Sequence, residues 1–283
     1  MRILIAGANG MLGTDLQTVL AGRAVTALGR AELDVTDLDA VRAASAGHDV
    51  IINASAYTKV DDAESNEDAA YAVNASGAGN LATAAAENGA RLVQVSTDYV
   101  FDGSATAPYA EHEPVNPVSA YGRTKAEGER LALEANSERT YIVRTAWLYG
   151  QHGPNFVKTM LRLAGSHDTV SVVTDQVGQP TRTLDLARQI VALLDADAPA
   201  GVYHGTNSGQ TSWYDFTREI FALSQLNPER VLPTDSAAFV RPAPRPAYSV
   251  LGHDTWANAG LAPMRSWKLA LADAISSGIV EAP

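Results

Sequence analysis

Apolar and polar positions alternate in a regular way along the first half of the chain. Ile3-Leu4-Ile5-Ala6 is a short unbroken apolar run, the pattern of a strand buried on both faces. Directly after it, Leu12, Leu16, Val19 and Leu20 recur at helical spacing. Val25-Thr26-Ala27-Leu28 predicts a second strand and Asp49-Val50-Ile51-Ile52-Asn53 a third. A helix carrying Ala69, Val73, Asn74, Leu81 and the alanines to Ala86 comes next, its small side chains suited to close packing on a sheet. Leu92 to Phe101 predicts a fourth strand with its exit, and Tyr141-Ile142-Val143-Arg144 a fifth. Strand and helix alternate throughout, so the expected fold is α/β, a doubly wound parallel sheet of Rossmann type.

After Gly150 the rhythm changes. The pattern predicts a helix from Asn155 to Leu163, a strand at Val170–Val173, a helix from Leu184 to Leu194 and a strand at Gly201–His204. Ser212-Trp213-Tyr214-Asp215-Phe216 opens another helix. Residues 1–150 therefore read as a dinucleotide-binding domain and 151–283 mainly as a smaller C-terminal substrate-binding lobe, with 167–200 returning to the first domain. Arg241-Pro242-Ala243-Pro244-Arg245-Pro246 lies between structured segments and reads as an ordered binding loop, with a rigid linker as the alternative.

Composition narrows the partners. A chain of 283 residues, 46% hydrophobic and 19% charged, can bury a sizeable core. Its net charge of −11 speaks against nucleic acid, which rewards clustered cations. Cysteine is absent, which excludes disulfides, thiol nucleophiles and thiolate metal sites. The six histidines are scattered without metal-ligand spacing, and Asp61-Asp62 with Glu64 reads better as a solvated acidic turn than as a cation site, so no metal is expected. The apolar opening breaks into a glycine loop and reads as a strand, not a secretion signal. No run approaches the ~18 apolar residues of a membrane span. These features predict a cytoplasmic location, with no membrane partner.

Gly7-Ala8-Asn9-Gly10-Met11-Leu12-Gly13 joins the first strand to the first helix. Glycine permits the tight turn and lets a pyrophosphate approach the backbone and the helix N-terminus, so a dinucleotide is expected here. An acidic residue after the second strand would favour NAD; the chain reads Gly29-Arg30 instead, and an arginine there suits a 2′-phosphate. Asp34-Val35 is a candidate for the adenine, although Thr36 or Asp37 can equally cap the next helix. The small residues Ala54-Ser55-Ala56, before Tyr57, would let the cofactor pass the third strand's end.

Tyr121-Gly122-Arg123-Thr124-Lys125, with Thr97 a strand earlier, suits proton transfer to a carbonyl. Positions four apart on a helix share a face. A tyrosine hydroxyl titrates near ~10, and an ammonium close by stabilises its phenolate and brings that value down. Ser119 is the expected N-cap of this helix. Alone, a Tyr-x-x-x-Lys spacing has a substantial chance origin in a chain with ten tyrosines. The strand ending in Ser96-Thr97-Asp98 some two dozen residues earlier makes coincidence much rarer.

These motifs resemble the extended short-chain dehydrogenase/reductase superfamily. Within it, Asn53 to Glu64, Ser96-Thr97-Asp98-Tyr99-Val100-Phe101-Asp102-Gly103, Arg144-Thr145-Ala146-Trp147-Leu148-Tyr149 and Asp175-Gln176-x-Gly178-x-Pro180-Thr181 resemble dTDP-4-dehydrorhamnose reductases along nearly the whole chain. That resemblance implies reduction of a dTDP-4-keto-6-deoxy-L-sugar with NADPH, and in some members NADH. It implies that Thr97 polarises the carbonyl, Tyr121 delivers a proton, and Lys125 tunes Tyr121 and holds the cofactor ribose. Asp98, Tyr99 and Trp147 would line the sugar site, and Gly10, Met11 and Leu12 the pyrophosphate. Charge adds Arg182, Arg241 and Arg245 as candidates for the substrate's phosphates. Sugar-nucleotide 4,6-dehydratases of the superfamily follow the threonine with Asp-Glu; here Asp98 precedes Tyr99, which favours simple reduction. Some reductases dimerise around Mg²⁺ held by glutamates. Asp15 and Leu184 at the matching positions speak against a metal-bridged dimer and leave an ordinary homodimer open. Two alternatives remain: a sister 4-ketoreductase making another deoxysugar, and a non-catalytic NADP-binding regulatory subunit.

Overall fold

The computed structural model describes residues 1–279. Five strands of the first half form one parallel sheet: β1 (Arg2–Ala6), β2 (Ala24–Leu28), β3 (Val50–Asn53), β4 (Arg91–Thr97) and β5 (Thr140–Thr145). Between them run α1 (Met11–Val19), α2 (Leu38–Ser45), α3 (Val60–Ala63), α4 (Glu67–Tyr71), α5 (Gly77–Glu87) and α6 (Ala120–Asn136). The second half supplies β6 (Leu148–Tyr149), α7 (Phe156–Ala164), β7 (Val170–Val173), β8 (Val177–Gly178), β9 (Thr181–Arg182), α8 (Thr183–Asp195) and β10 (Gly201–His204). It continues through β11 (Thr211–Ser212), α9 (Trp213–Leu223), β12 (Val231–Thr234), α10 (Asp254–Asn258) and α11 (Trp267–Ser276).

The sheet order is β10-β5-β4-β3-β1-β2, with every pairing parallel. The alternation of β1 explains its two-sided burial. Ile3 and Ile5 enter the core with Leu12, Leu16, Leu186 and Ile190, whereas Leu4 and Ala6 enter the opposite core with Leu33, Val41, Leu81 and Ala85. Each leucine, isoleucine or valine among them contributes about 2 kcal/mol by leaving water. The chain runs from β1 to β2 on one side and then to β3 on the other. The carboxyl ends of β1 and β3 consequently open the crevice at which doubly wound sheets bind ligands.

Two expectations from the pattern are corrected. The helix expected through Asn74 is not continuous: a π turn (Ala72–Ser76) separates α4 from α5. Gly128 of α6 packs so closely on the Asn74 carbonyl that an added Cβ would lie 2.1 Å from it. Nor do residues 167–200 return as one piece. β7 pairs with β12 in the lobe, while α8 covers α1 and β10 closes the sheet beside β5. Val170 and Val172 face the lobe's own core of Val157, Phe216, Ile220, Phe221 and Leu271, which draws β7 away from the sheet.

Candidate active site

The glycine loop and the exit of β3 meet at the crevice. A Cβ on Gly7, whose φ is +81°, would lie 2.6 Å from the Ser55 nitrogen and 2.7 Å from the Ala54 carbonyl carbon. A Cβ on Gly13 would lie 2.3 Å from the Gly7 oxygen, so that glycine lets α1 close on β1. Gly10 is the N-cap of α1 and brings no side chain to its first N–H groups. Those donors are left for an anion. Met11 is half-buried beside Gly153, whereas the Leu12 side chain belongs to the core and only its backbone faces the loop.

Arg30 is exposed just after β2. Asp34 accepts hydrogen bonds from the Thr36 N–H (3.0 Å) and hydroxyl (2.8 Å), which hold its carboxyl below the usual range. Asp37 caps α2. The Val35 side chain is buried, and Asn80 donates to its carbonyl at 3.0 Å. Ala54, Ser55, Ala56 and Tyr57 are half-buried along the crevice. Asn74 clasps this loop: it accepts from the Tyr57 N–H at 2.8 Å and donates to the Tyr57 carbonyl and to Thr124 on α6. These bonds hold the loop after β3 to α6, a structural role. This cradle fits the pyrophosphate of a dinucleotide, and Arg30 is an exposed cation just after β2.

The proton-handling groups gather at the ends of β4 and α6. Ser119 caps α6 by accepting from the Gly122 N–H at 3.1 Å. The ring of Tyr121 meets that of Tyr99 edge to face, centroids 5.6 Å apart. Burial pushes the Tyr121 hydroxyl up to about 12, against the pull of a hydrogen bond with Thr97. Lys125 is buried, and its ammonium donates to the Val95 carbonyl at 2.6 Å. Burial pushes it down to about 8, with Glu129 opposing. Thr97 donates to Asp98 Oδ1 at 2.9 Å, while Asp98 Oδ2 is buried without a hydrogen-bond partner. Burial raises the Asp98 carboxyl to about 6, although the hydroxyls of Ser249 and Thr97 pull it down.

A cavity of about 620 Å³ adjoins this cluster, lined by Tyr99, Met160, Val172, Trp213, Arg241 and Arg245 among others. Arg245 donates to Asp61 Oδ1 at 2.8 Å and stands over the Tyr99 ring, 6.0 Å from its centroid. Arg241 is half-exposed and reaches Asp61 Oδ2 at 3.3 Å. Asp61 thus ties the proline-rich loop to the nucleotide-binding half. Trp147 takes the left-handed conformation, φ 47°, and stacks on Trp213 at 3.5 Å. One face of its ring is therefore covered by protein.

Arg182 corrects an expectation. It is buried, bonded to Asp273 and to Ser277 at 3.1 Å, so its charge is spent inside the lobe and does not reach the cavity. Sequence reasoning also missed Ser249, Trp213 and the clasp made by Asp61. Only Trp213, an aromatic directly after the helix cap Ser212, carried a local signal. Asp15 is buried beside His152, Oδ1 to Nε2 3.8 Å. Among the described residues no group of three or more metal-capable side chains gathers, and no helix is long and apolar enough to cross a membrane.

A phosphate-ready glycine loop at the switch point of a parallel sheet, with one strand between it and a threonine–tyrosine–lysine set, defines an extended short-chain dehydrogenase/reductase. Comparison narrows this class. The family described as RmlD substrate binding domain matches residues 1–279. A dTDP-4-dehydrorhamnose reductase of Streptomyces griseus is 52% identical over 280 residues, covering 96% of this chain and 92% of that protein. A dTDP-4-keto-6-deoxy-D-glucose reductase of Streptomyces niveus is 48% identical, covering 96% of each. The crystal structure of dTDP-4-dehydrorhamnose reductase from Bacillus anthracis in complex with NADP superposes with a TM-score of 0.93 at 39% identity, covering 98% of this chain and 99% of that one. The chain belongs to the RmlD family.

Proposed function

We propose that this protein reduces the 4-keto group of dTDP-4-dehydro-L-rhamnose to give dTDP-L-rhamnose. Bound NADPH supplies the hydride. The observation that carries the reading is the cluster of buried Thr97 and Lys125 with half-buried Tyr121, beside a cavity lined in part by Arg241 and Arg245. The Tyr121 hydroxyl, pushed up to about 12, holds its proton at neutral pH and yields it to the O4 atom as hydride reaches C4. The C=O bond becomes C–H and O–H. The positive charge of Lys125 stabilises the phenolate left behind. Thr97 donates to the same oxygen by turning from Asp98 Oδ1. Arg241 and Arg245 meet the diphosphate while Asp61 anchors the loop that carries them. Tyr99, which follows Asp98, supplies an aromatic wall where elimination would need a second carboxyl group.

A second reading, reduction of another dTDP-4-keto-6-deoxysugar, draws on the Streptomyces niveus relative. Absorbance of NADPH, and separately of NADH, is followed with each keto-sugar generated in place, and the product is identified by chromatography. dTDP-L-rhamnose as product supports the first reading, and turnover only with another sugar supports the second. Tyr121→Phe is expected to lower kcat ~10²- to 10⁴-fold with NADPH affinity kept. Unchanged turnover in that variant refutes the proton-donor role.

A further inference from the structure

Behind the active site Glu129, Arg144 and Ser96 form a buried group around one ion pair, outside the catalytic set. Glu129 lies one turn beyond Lys125 on α6, so the two share a helix face. Its Oε1 accepts from the Ser96 hydroxyl at 2.5 Å and from Arg144 Nε at 2.9 Å, and its Oε2 accepts from Arg144 Nη2 at 2.7 Å. Glu129 and Arg144 side chains are each only 5% exposed. Arg144 also donates to the Glu111 carbonyl at 3.3 Å and stands over the Phe101 ring.

The strand contacts put the two halves of this arrangement in register. The Lys125 ammonium docks on the carbonyl of Val95, and the Glu129 carboxylate docks on the hydroxyl of the next residue, Ser96. Thr97 follows directly. A buried ion pair is a poor source of stability, because two charges lose their hydration to form it. Leu or Met would fill the space at less cost. The pair therefore points to a task beyond packing.

We infer that Glu129 is a positioning residue for the reduction: its carboxylate fastens the tyrosine–lysine helix to the threonine strand and keeps the buried Lys125 charged, while Arg144 sets how strongly it does so. This rests on the reading that Lys125 acts as a cation in the reaction. Burial alone would release the Lys125 proton early, and Glu129 is the group that opposes it. Other ionisable neighbours are accounted for. Tyr121 stands on the same helix and Asp98 follows β4. Arg144, on β5, holds the Glu129 carboxylate at 2.7 Å. Glu64 and Glu67 meet the first turn of α6, where they are engaged by the Ala120 N–H and Arg123. His204, beyond Arg144, is held neutral, pushed down to about 3 by burial and by that arginine.

The test sets two substitutions against each other. The pH profile of kcat is measured by NADPH oxidation for Glu129→Gln and Arg144→Met, with Tm recorded alongside. Lys125 is active as the ammonium, so its titration forms the alkaline limb. Glu129→Gln removes the supporting charge and leaves Arg144, which moves the limb down by about one pH unit. Arg144→Met leaves the carboxylate unopposed and moves the limb up. Both lower Tm, since each strands a buried charge or polar group. Limbs that move the same way, or stay in place, overturn the inference and leave a packing role. Should a single variant fail to fold, Glu129→Asp and Arg144→Lys withdraw the same charges by shortening the side chain and are read for the same opposition of sign. Lys125→Met separates the two levels. Wild-type turnover there refutes the cationic role of Lys125; lost turnover with unmoved limbs in the Glu129 and Arg144 variants refutes only the inference.

Discussion

Adding one methyl group at Gly128 tests how tightly catalysis depends on the seat of α6. The new Cβ would lie 2.1 Å from the Asn74 carbonyl oxygen and 3.3 Å from Ala78 Cβ. A carbon–oxygen contact normally needs about 3.3 Å, so α6 must withdraw by roughly 1 Å. The oxygen cannot yield, being backbone of the π turn whose side chain clasps Tyr57 and Thr124. Two energies then compete. Alanine gains about 1 kcal/mol over glycine in a helix, and overpacking costs about 1–3 kcal/mol. The net loss is at most about 2 kcal/mol, a Tm decrease of several degrees at ~2–4 °C per kcal/mol. Activity is far more sensitive, because a misplacement of ~1 Å can cost 10²-fold in rate. Gly128→Ala is therefore expected to stay folded by circular dichroism while kcat for NADPH oxidation falls ~10²-fold. Gly165→Ala, whose Cβ would meet nothing nearer than 3.5 Å, serves as the control with both quantities unchanged. A Gly128→Ala enzyme with wild-type kcat and unaltered Tm would show that α6 slides freely, and the reasoning fails.

Asp61→Asn frees Arg241 and Arg245 from their shared carboxylate, so the proline-rich loop loses its anchor. Initial-rate measurements should give a substrate KM higher by about tenfold, equivalent to about 1.4 kcal/mol, with NADPH affinity little changed; an unaltered KM removes the clasp from the binding argument. For Asp98 the sign follows from a folded value of about 6 against an ordinary value of 3.8. Its ionisation costs stability as pH rises from 3.8 through 6, by roughly 3 kcal/mol at most. Asp98→Asn should therefore gain Tm over the parent progressively between pH 4 and pH 7 while losing activity. A Tm difference that does not vary with pH contradicts the assignment.

Local signals explain what was legible in the sequence. The glycine loop works through backbone conformation and close approach within a few residues, and Tyr121 and Lys125 share a face by helix geometry alone. Strand alternation revealed both faces of the sheet because Ile3 and Leu4 announce opposite cores. Arg182 was misread because its partner, Asp273, lies 91 residues away. A buried arginine and one lining a ligand cavity have the same appearance in a sequence. Asp61 looked like a member of a solvated acidic turn for the same reason, since Arg241 and Arg245 reach it only through the fold. The stacking of Trp213 on Trp147 and the π turn at Asn74 arise from tertiary packing against partners that no periodicity encodes.

The place of β10 in the sheet has a consequence during synthesis. β5 ends at Thr145, and the strand that covers its outer edge ends at His204, about 60 residues later. At ~5–20 residues per second the ribosome needs several seconds to extend the chain that far. For that interval the Tyr141–Thr145 edge has emerged without its neighbour, offering unpaired N–H and C=O groups to any other strand. The hazard lies in the order in which the chain is made, and a nascent polypeptide stalled between these two strands would be more prone to aggregate than either a shorter or a finished one.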